Sequence, residues 1–300
     1  MSDKKPLGKR IKNGLIFRAV VFLMVVVKLL PRPASLLLAR LLAATGYCLA
    51  ANERRKIHAN LQQAYGASLS AKARDEIGRR VFSNIAQNLV DAVLMPSLLR
   101  TRAESIMRIT GLEHTRPFLE NKKGIIFLTA HMGCFEMMPP RFALLGYPMI
   151  VLGAKLYDPR LNDIIVESRK TFNVSYVERG QGLKEIYKNL KEGGGFGVLC
   201  DLDTRVESRF IDFFGQPAKT PSGPFKLGIR RGVPLVPIFT VRAADGCQQV
   251  TVHPEIIPSG ANEEEKISDA MRQYNFILEE MIRRDPGQWI WMHERWKSRP

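Results

Sequence analysis

The stretch Thr129–Pro140, TAHMGCFEMMPP, holds a histidine and a glutamate five residues apart, His131 and Glu136. Imidazole titrates near neutrality, so a histidine on a loop can act as a general base toward a reacting hydroxyl. A carboxylate nearby can orient the ring and stabilise its charged form. In a regular helix, residues five apart point about 140° away from each other. The pair meets only if the helix begins after His131 and the chain bends at Met132–Gly133, where Gly133 supplies the freedom. The same spacing also fits a capping histidine and a snorkelling glutamate. Cys134 stands close by, but no downstream His–Asn set accompanies it as a covalent enzyme would need.

The element that would present His131 is the apolar run GIIFLTA at 124–130. Further runs of strand length follow: PMIVLGA at 148–154, NVSYVE at 173–178, FGVLCDL at 196–202, PLVPIFTV at 234–241 and CQQVTVHP at 247–254. Helical patterns at 133–146, 159–171, 181–192, 221–231 and 262–284 separate them. This alternation predicts an α/β fold with a mixed, largely parallel sheet flanked by helices. Residues 51–105 read as helices. NERRKIHANLQQAYG has Asn52 as its cap and Gly66 as its stop, and a second helix runs from a serine cap to near Pro96. FGQPAKTPSGP reads as a loop entering a helix, with Thr220 capping and Pro221 at the first position. The free amides at Gly223 could also meet an anionic group. GGGFG at 193–197 precedes a strand, so it reads as a helix stop and turn rather than a dinucleotide fingerprint. There is no G-x-S-x-G elbow and no Walker loop.

Apolar residues make up 45% and charged residues 25% of the 300, which leaves ample material for a core. The net charge is +16. Residues 1–56 carry twelve Lys or Arg against Asp3 and Glu53. Between those charges the chain is greasy (GLIFRAVVFLMVVVKLLP), where a nucleic-acid arm would be polar; the anionic partner predicted is a membrane surface, not nucleic acid. The uncharged run Ala19–Val27 has only nine residues, and Leu15–Leu30 sixteen, against about 20 for a span. A short strained span, a helix in the interface, and an amphipathic helix packed on the catalytic domain all fit. We read residues 1–50 as a retained basic-hydrophobic anchor and 51–300 as one domain, with 106–300 its α/β core. Cysteines 48, 134, 200 and 247 and the five histidines are scattered, so neither zinc nor a disulfide framework is expected; a reduced, cytosol-facing domain fits.

Four stretches in order narrow the reading: ANERRKIHANLQQAYG, AHMGCFE, DLDTRVESRFIDFFGQPAKTPSGPFKLGIRRGVPLVPIF and the closing PGQWIWMHERWKSRP. Together they resemble the bacterial lipid A biosynthesis acyltransferases, the late lauroyl and myristoyl transferases. These sit within the glycerolipid and lysophospholipid acyltransferase superfamily, whose signature is H-x4-D/E. The resemblance covers about residues 10 to 300. It implies the glycerolipid-acyltransferase fold with an N-terminal membrane-associated helix, at the inner membrane with the catalytic domain facing the cytoplasm. It implies transfer of a fatty acyl chain from an acyl thioester (acyl carrier protein, or acyl-CoA) to a hydroxyl of a lipid A precursor, without an acyl-enzyme or cofactor. A lysophospholipid or other glycolipid acceptor is the alternative within the class, and a non-catalytic lipid-binding protein the alternative outside it. His131 would be the base and Glu136 its support. Arg179 lies where the superfamily has an arginine block, and with Arg169 it becomes a phosphate-binding candidate. Asp201 and Asp203 match an acidic pair that often flanks a histidine; here Leu202 stands between them. Trp289, Trp291 and Trp296 suit either a headgroup-level surface or a docked C-terminal segment.

Overall fold

The computed structural model describes residues 7–153 and 158–300. Residues 1–6 of the basic anchor and Ala154 of the 148–154 run lie outside them. The run Ile125–Thr129 is buried at every position and forms β2, a central strand. An all-buried apolar run of this length is what a strand covered on both faces requires. Around it stand β1 (Met107–Thr110), β3 (Met149–Gly153), β4 (Ser175–Glu178), β5 (Gly195–Leu199), β8 (Leu235–Arg242) and β9 (Gln248–Val252). The order is β1-β9-β8-β2-β5-β3-β4. From β8 through β2, β5 and β3 to β4 the pairings are parallel; β9 turns antiparallel to β8 and carries β1 with it. The five parallel strands therefore end at one edge, where ligands collect in open α/β sheets.

Helices cover both faces. They are α5 (Arg116–Glu120), α6 (Met138–Leu144), α7 (Pro159–Lys170), α8 (Leu183–Lys191), α9 (Gly223–Arg231) and α10 (Glu263–Arg284). Asn262 caps α10, accepting from the Glu265 backbone N–H at 3.0 Å, and three glutamates fill its first turn, both favourable at a helix start.

Two local expectations are overturned. The helix capped by Ser70, α4 (Ala71–Ile106), does not stop near Pro96. Met95, Leu98 and Leu99 are buried on both sides of the proline, and that burial outweighs its cost of about 3 kcal/mol. Thr220 and Pro221 do not open a helix. They end β7 (Gln216–Pro221), which pairs antiparallel with β6 (Ser208–Phe213), and α9 begins only after Ser222. The Thr220 hydroxyl donates to Ala218 O at 3.1 Å instead of capping.

The N-terminal segment is α1 (Leu7–Leu29) and α2 (Arg32–Leu49), followed by α3 (Ala51–Tyr65). Val27, Leu36 and Ala39 pack on Val90 of α4. Below them Arg32 and Arg242 both pair with the fully buried Asp91, at 2.8 and 2.7 Å. The opposite face stays apolar and bare: Phe22, Leu29, Leu41 and Leu49 are all exposed. Among the described residues no single helix is long and apolar enough to cross a membrane. Arg32–Leu49 and Ala51–Ser68 pass that test only together, bent by 87°.

Candidate active site

β2 and β5 run parallel with Thr129 opposite Leu199, so the next residues of each chain stay side by side at the carboxyl edge. The Cys200 backbone N–H donates to Thr129 O at 3.0 Å, continuing the ladder by one residue. The two residues beyond it are His131 and Asp201. His131 Nδ1 lies 2.9 Å from Asp201 Oδ1, and the His131 backbone N–H donates to Asp201 Oδ2 at 2.9 Å. Asp201 is fully buried, while the histidine side chain keeps 24% of its surface exposed. Burial alone would raise the Asp201 carboxyl. The charge of His131 and the hydrogen bonds from His131 and Trp289 outweigh it and hold the carboxyl below its usual range.

The expected support of the imidazole, Glu136, is not brought to it. Among the described residues no hydrogen bond joins it to His131. The chain bends at Gly133, φ +54°, where any Cβ would strike the Thr240 backbone. It then makes a 3-10 turn at Phe135–Met137 that carries Glu136 toward α7. There Arg169 holds the carboxylate in a fork, Nη2 to Oε1 at 2.8 Å and Nε to Oε2 at 3.2 Å. Arg169 also lies over the Tyr176 ring, 5.3 Å from its centroid. Its guanidinium is thus engaged inside the fold by Glu136 and Tyr176.

Near the same sheet edge is an apolar cavity, roofed by Met138 and Phe142 of α6 and floored by the sheet. Phe127, Met149, Val151 and Ile238 line it, with Glu136 and Arg169 among the few polar contributors. Phe135 lines it too and packs edge-on against the His131 ring, centroids 5.1 Å apart. Phe135 thus links the imidazole to a slot lined by hydrocarbon side chains. Cys134 is buried at 2% exposure, and burial pushes its thiol up, away from the thiolate that a nucleophile needs.

The other expected residues scatter. Arg179 follows β4 at the same edge, its backbone N–H on Gly153 O at 2.9 Å. Its side chain is exposed and makes no hydrogen bond or ion pair among the described residues, three strands or about 14 Å across the sheet from β2. Asp203 is buried and turned to the C-terminal segment, accepting from the Ser298 backbone N–H at 3.0 Å. Gly223 is exposed at the start of α9.

The sequence reading missed a neighbour from the far end of the chain. The tryptophans are docked, Trp289 at 1% exposure, Trp291 at 0% and Trp296 at 4%. The Trp289 indole N–H donates to Asp201 Oδ2 at 2.9 Å. An indole in a buried run must find an acceptor, which was the available signal.

A histidine with one nitrogen on a buried carboxylate and an apolar slot close by, with no activated nucleophile among the described residues, suits acyl transfer by general base. The comparisons point to acyl transfer as well, by family. The chain is 27% identical over 252 residues to the lipid A biosynthesis lauroyltransferase of Escherichia coli (strain K12), covering 81% of this chain and 79% of that one. It is 25% identical over 240 residues to the lipid A biosynthesis palmitoleoyltransferase of the same organism, covering 77% and 74%. To the phosphatidylinositol mannoside acyltransferase of Mycolicibacterium smegmatis (strain ATCC 700084 / mc(2)155) it is 22% identical over 211 residues, 69% of each chain. The family model described as bacterial lipid A biosynthesis acyltransferase matches residues 4–298, nearly the whole chain. The chain belongs to the bacterial lipid A biosynthesis acyltransferases.

Proposed function

We propose that this protein moves a fatty acyl chain from an acyl thioester, carried by acyl carrier protein, to a hydroxyl of a lipid A precursor at the cytoplasmic face of the inner membrane. The observation that carries this is the His131–Asp201 pair, whose imidazole packs on Phe135 of the apolar slot's lining. The acyl chain lies in the slot with its thioester carbonyl near His131. The acceptor hydroxyl gives its proton to His131 Nε2, and its oxygen bonds to the carbonyl carbon. Collapse of the tetrahedral species breaks the carbon–sulfur bond, and the imidazolium returns the proton to the departing thiolate. Asp201 keeps the proton of the resting ring on Nδ1 and stabilises the imidazolium. Glu136 and Arg169 hold α7 against the slot. Arg179, Asp203 and Gly223 are kept as candidates for the acceptor's polar groups, with the exposed fork of Arg179 suited to a phosphate. Residues 1–50 serve as the anchor and 51–300 as the acyltransferase domain. The exposed apolar face of α1 and α2, with basic charge around it, supports attachment to an anionic membrane surface. The test is turnover of acyl carrier protein thioester with lipid A precursors, the product read by mass spectrometry. His131→Ala is expected to lose about 10²–10⁴-fold, the worth of a positioned base. Cys134→Ala is expected to be nearly silent. Near-wild-type activity of His131→Ala, or a trapped acyl-Cys134, would overturn the mechanism.

A further inference from the structure

Asp201 receives three hydrogen bonds, and two of them come from His131 itself. Two contacts to one residue form a ring that can pivot as a unit. The third, from Trp289 Nε1, comes from a segment 88 residues away and removes that pivot. The segment is itself fastened to the surrounding framework. Met132 and Trp289 form an antiparallel bridge, and the Gly133 backbone N–H donates to Gln288 O at 3.2 Å. Gln288 grips the backbone of Arg242 on β8 in both directions, at 3.2 and 3.0 Å. The Trp289 ring stacks edge-on with Trp291, centroids 4.7 Å apart at 89°. A donor mounted this rigidly sets the plane of the carboxylate it holds.

We infer that Trp289 is a positioning residue for acyl transfer, its indole N–H fixing the Asp201 carboxylate plane and, through it, the orientation and tautomer of His131. The inference rests on the reading of His131 as the base. A purely structural tryptophan would need only its ring in the core, and any acceptor would satisfy its N–H. Trp289 spends that N–H on the one carboxylate that holds the imidazole.

The test separates ring from donor in the full-length protein in detergent. Trp289→Phe removes the N–H, and replacement of the indole by benzothiophene through an expanded genetic code removes it while keeping the shape. Nitrogen-15 NMR of labelled His131 reads the tautomer, and steady-state kinetics with acyl carrier protein thioester reads turnover. The wild type is expected to hold the proton on Nδ1, and both variants to show mixed tautomers. kcat is expected to fall about 10- to 100-fold, with KM for the donor within about twofold. If Trp289→Phe fails to fold, the benzothiophene protein decides. Unchanged kcat, or a lower kcat with the tautomer unaltered, overturns the inference. Full activity of His131→Ala would instead overturn the base assignment, and the tautomer spectrum would still report whether Trp289 holds the ring.

Discussion

Asp201 and His131 stand 70 residues apart in the chain and meet through two hydrogen bonds of 2.9 Å, one to the ring and one to the backbone N–H. Asp201→Asn keeps the shape and removes the charge, so the imidazolium loses its partner. kcat is expected to fall about 10²–10⁴-fold in the thioester assay, with KM little changed. The carboxyl is held below its usual range. Such a group contributes stability that is full above its unfolded value, about 3.9, and is lost as pH falls through the folded value. Thermal melts taken below about pH 4 are therefore expected to drop faster for the wild type than for Asp201→Asn. Parallel curves in acid would remove the linkage.

Glu136 is paired with Arg169, side chains 29% and 14% exposed, and not with the base. Their coupling belongs in a double-mutant cycle. Glu136→Gln and Arg169→Gln are each expected to lower kcat/KM about 5- to 50-fold, and the double variant to lose little more than either. Glu136→Gln and His131→Ala should instead combine as independent changes. Additivity in the first cycle would mean that the fork contributes nothing to the site.

Gly197 lines the floor of the slot, in the strand between β2 and β3. A Cβ there would meet Val151 Cγ1 at 3.4 Å and Met149 Cε at 3.8 Å, ordinary contacts, so a side chain fits but occupies the slot. Gly197→Val is expected to shift the transferred chain toward shorter acyl groups when donors of mixed length compete. Each methylene excluded is worth about 0.8 kcal/mol, so discrimination of roughly 15-fold per carbon pair is expected. Product chain lengths by mass spectrometry check it; an unchanged distribution would place the acyl chain elsewhere.

The α1–α2 face offers Phe22, Leu29, Leu41 and Leu49 to whatever covers it. Buried in lipid, each contributes about 1.5–3 kcal/mol independently of charge. Flotation with anionic vesicles is expected to show partial release at about 1 M salt, where the Debye length is near 3 Å. Serine at all four positions should make salt release complete. Complete release of the wild type by salt alone would leave the apolar face without a role in membrane binding.

Much of the molecule was legible along the chain because the relevant forces are local. The run at 124–130 announces a buried strand, Gly133 announces a bend, Asn262 announces a helix start, and four motifs in order announce the family. Those readings depend on periodicity, caps and backbone freedom, each decided within a few residues. Pro96 and Thr220 were misread for the converse reason. Burial of Met95 and Leu99 carries the helix through the proline, and pairing with β6 makes a strand of the threonine's segment. The partner of His131 was likewise beyond local reading. Five residues of spacing favoured Glu136, but β2 lies against β5 in parallel register, and that pairing brings position 201 to position 131. Strand register is set by the burial of whole faces and not by the sequence between them. The chain by itself determined which histidine stands at the sheet edge. Only the tertiary structure decided that Asp201 would hold it and that Trp289 would close on that carboxylate, because both contacts join segments that folding alone makes neighbours.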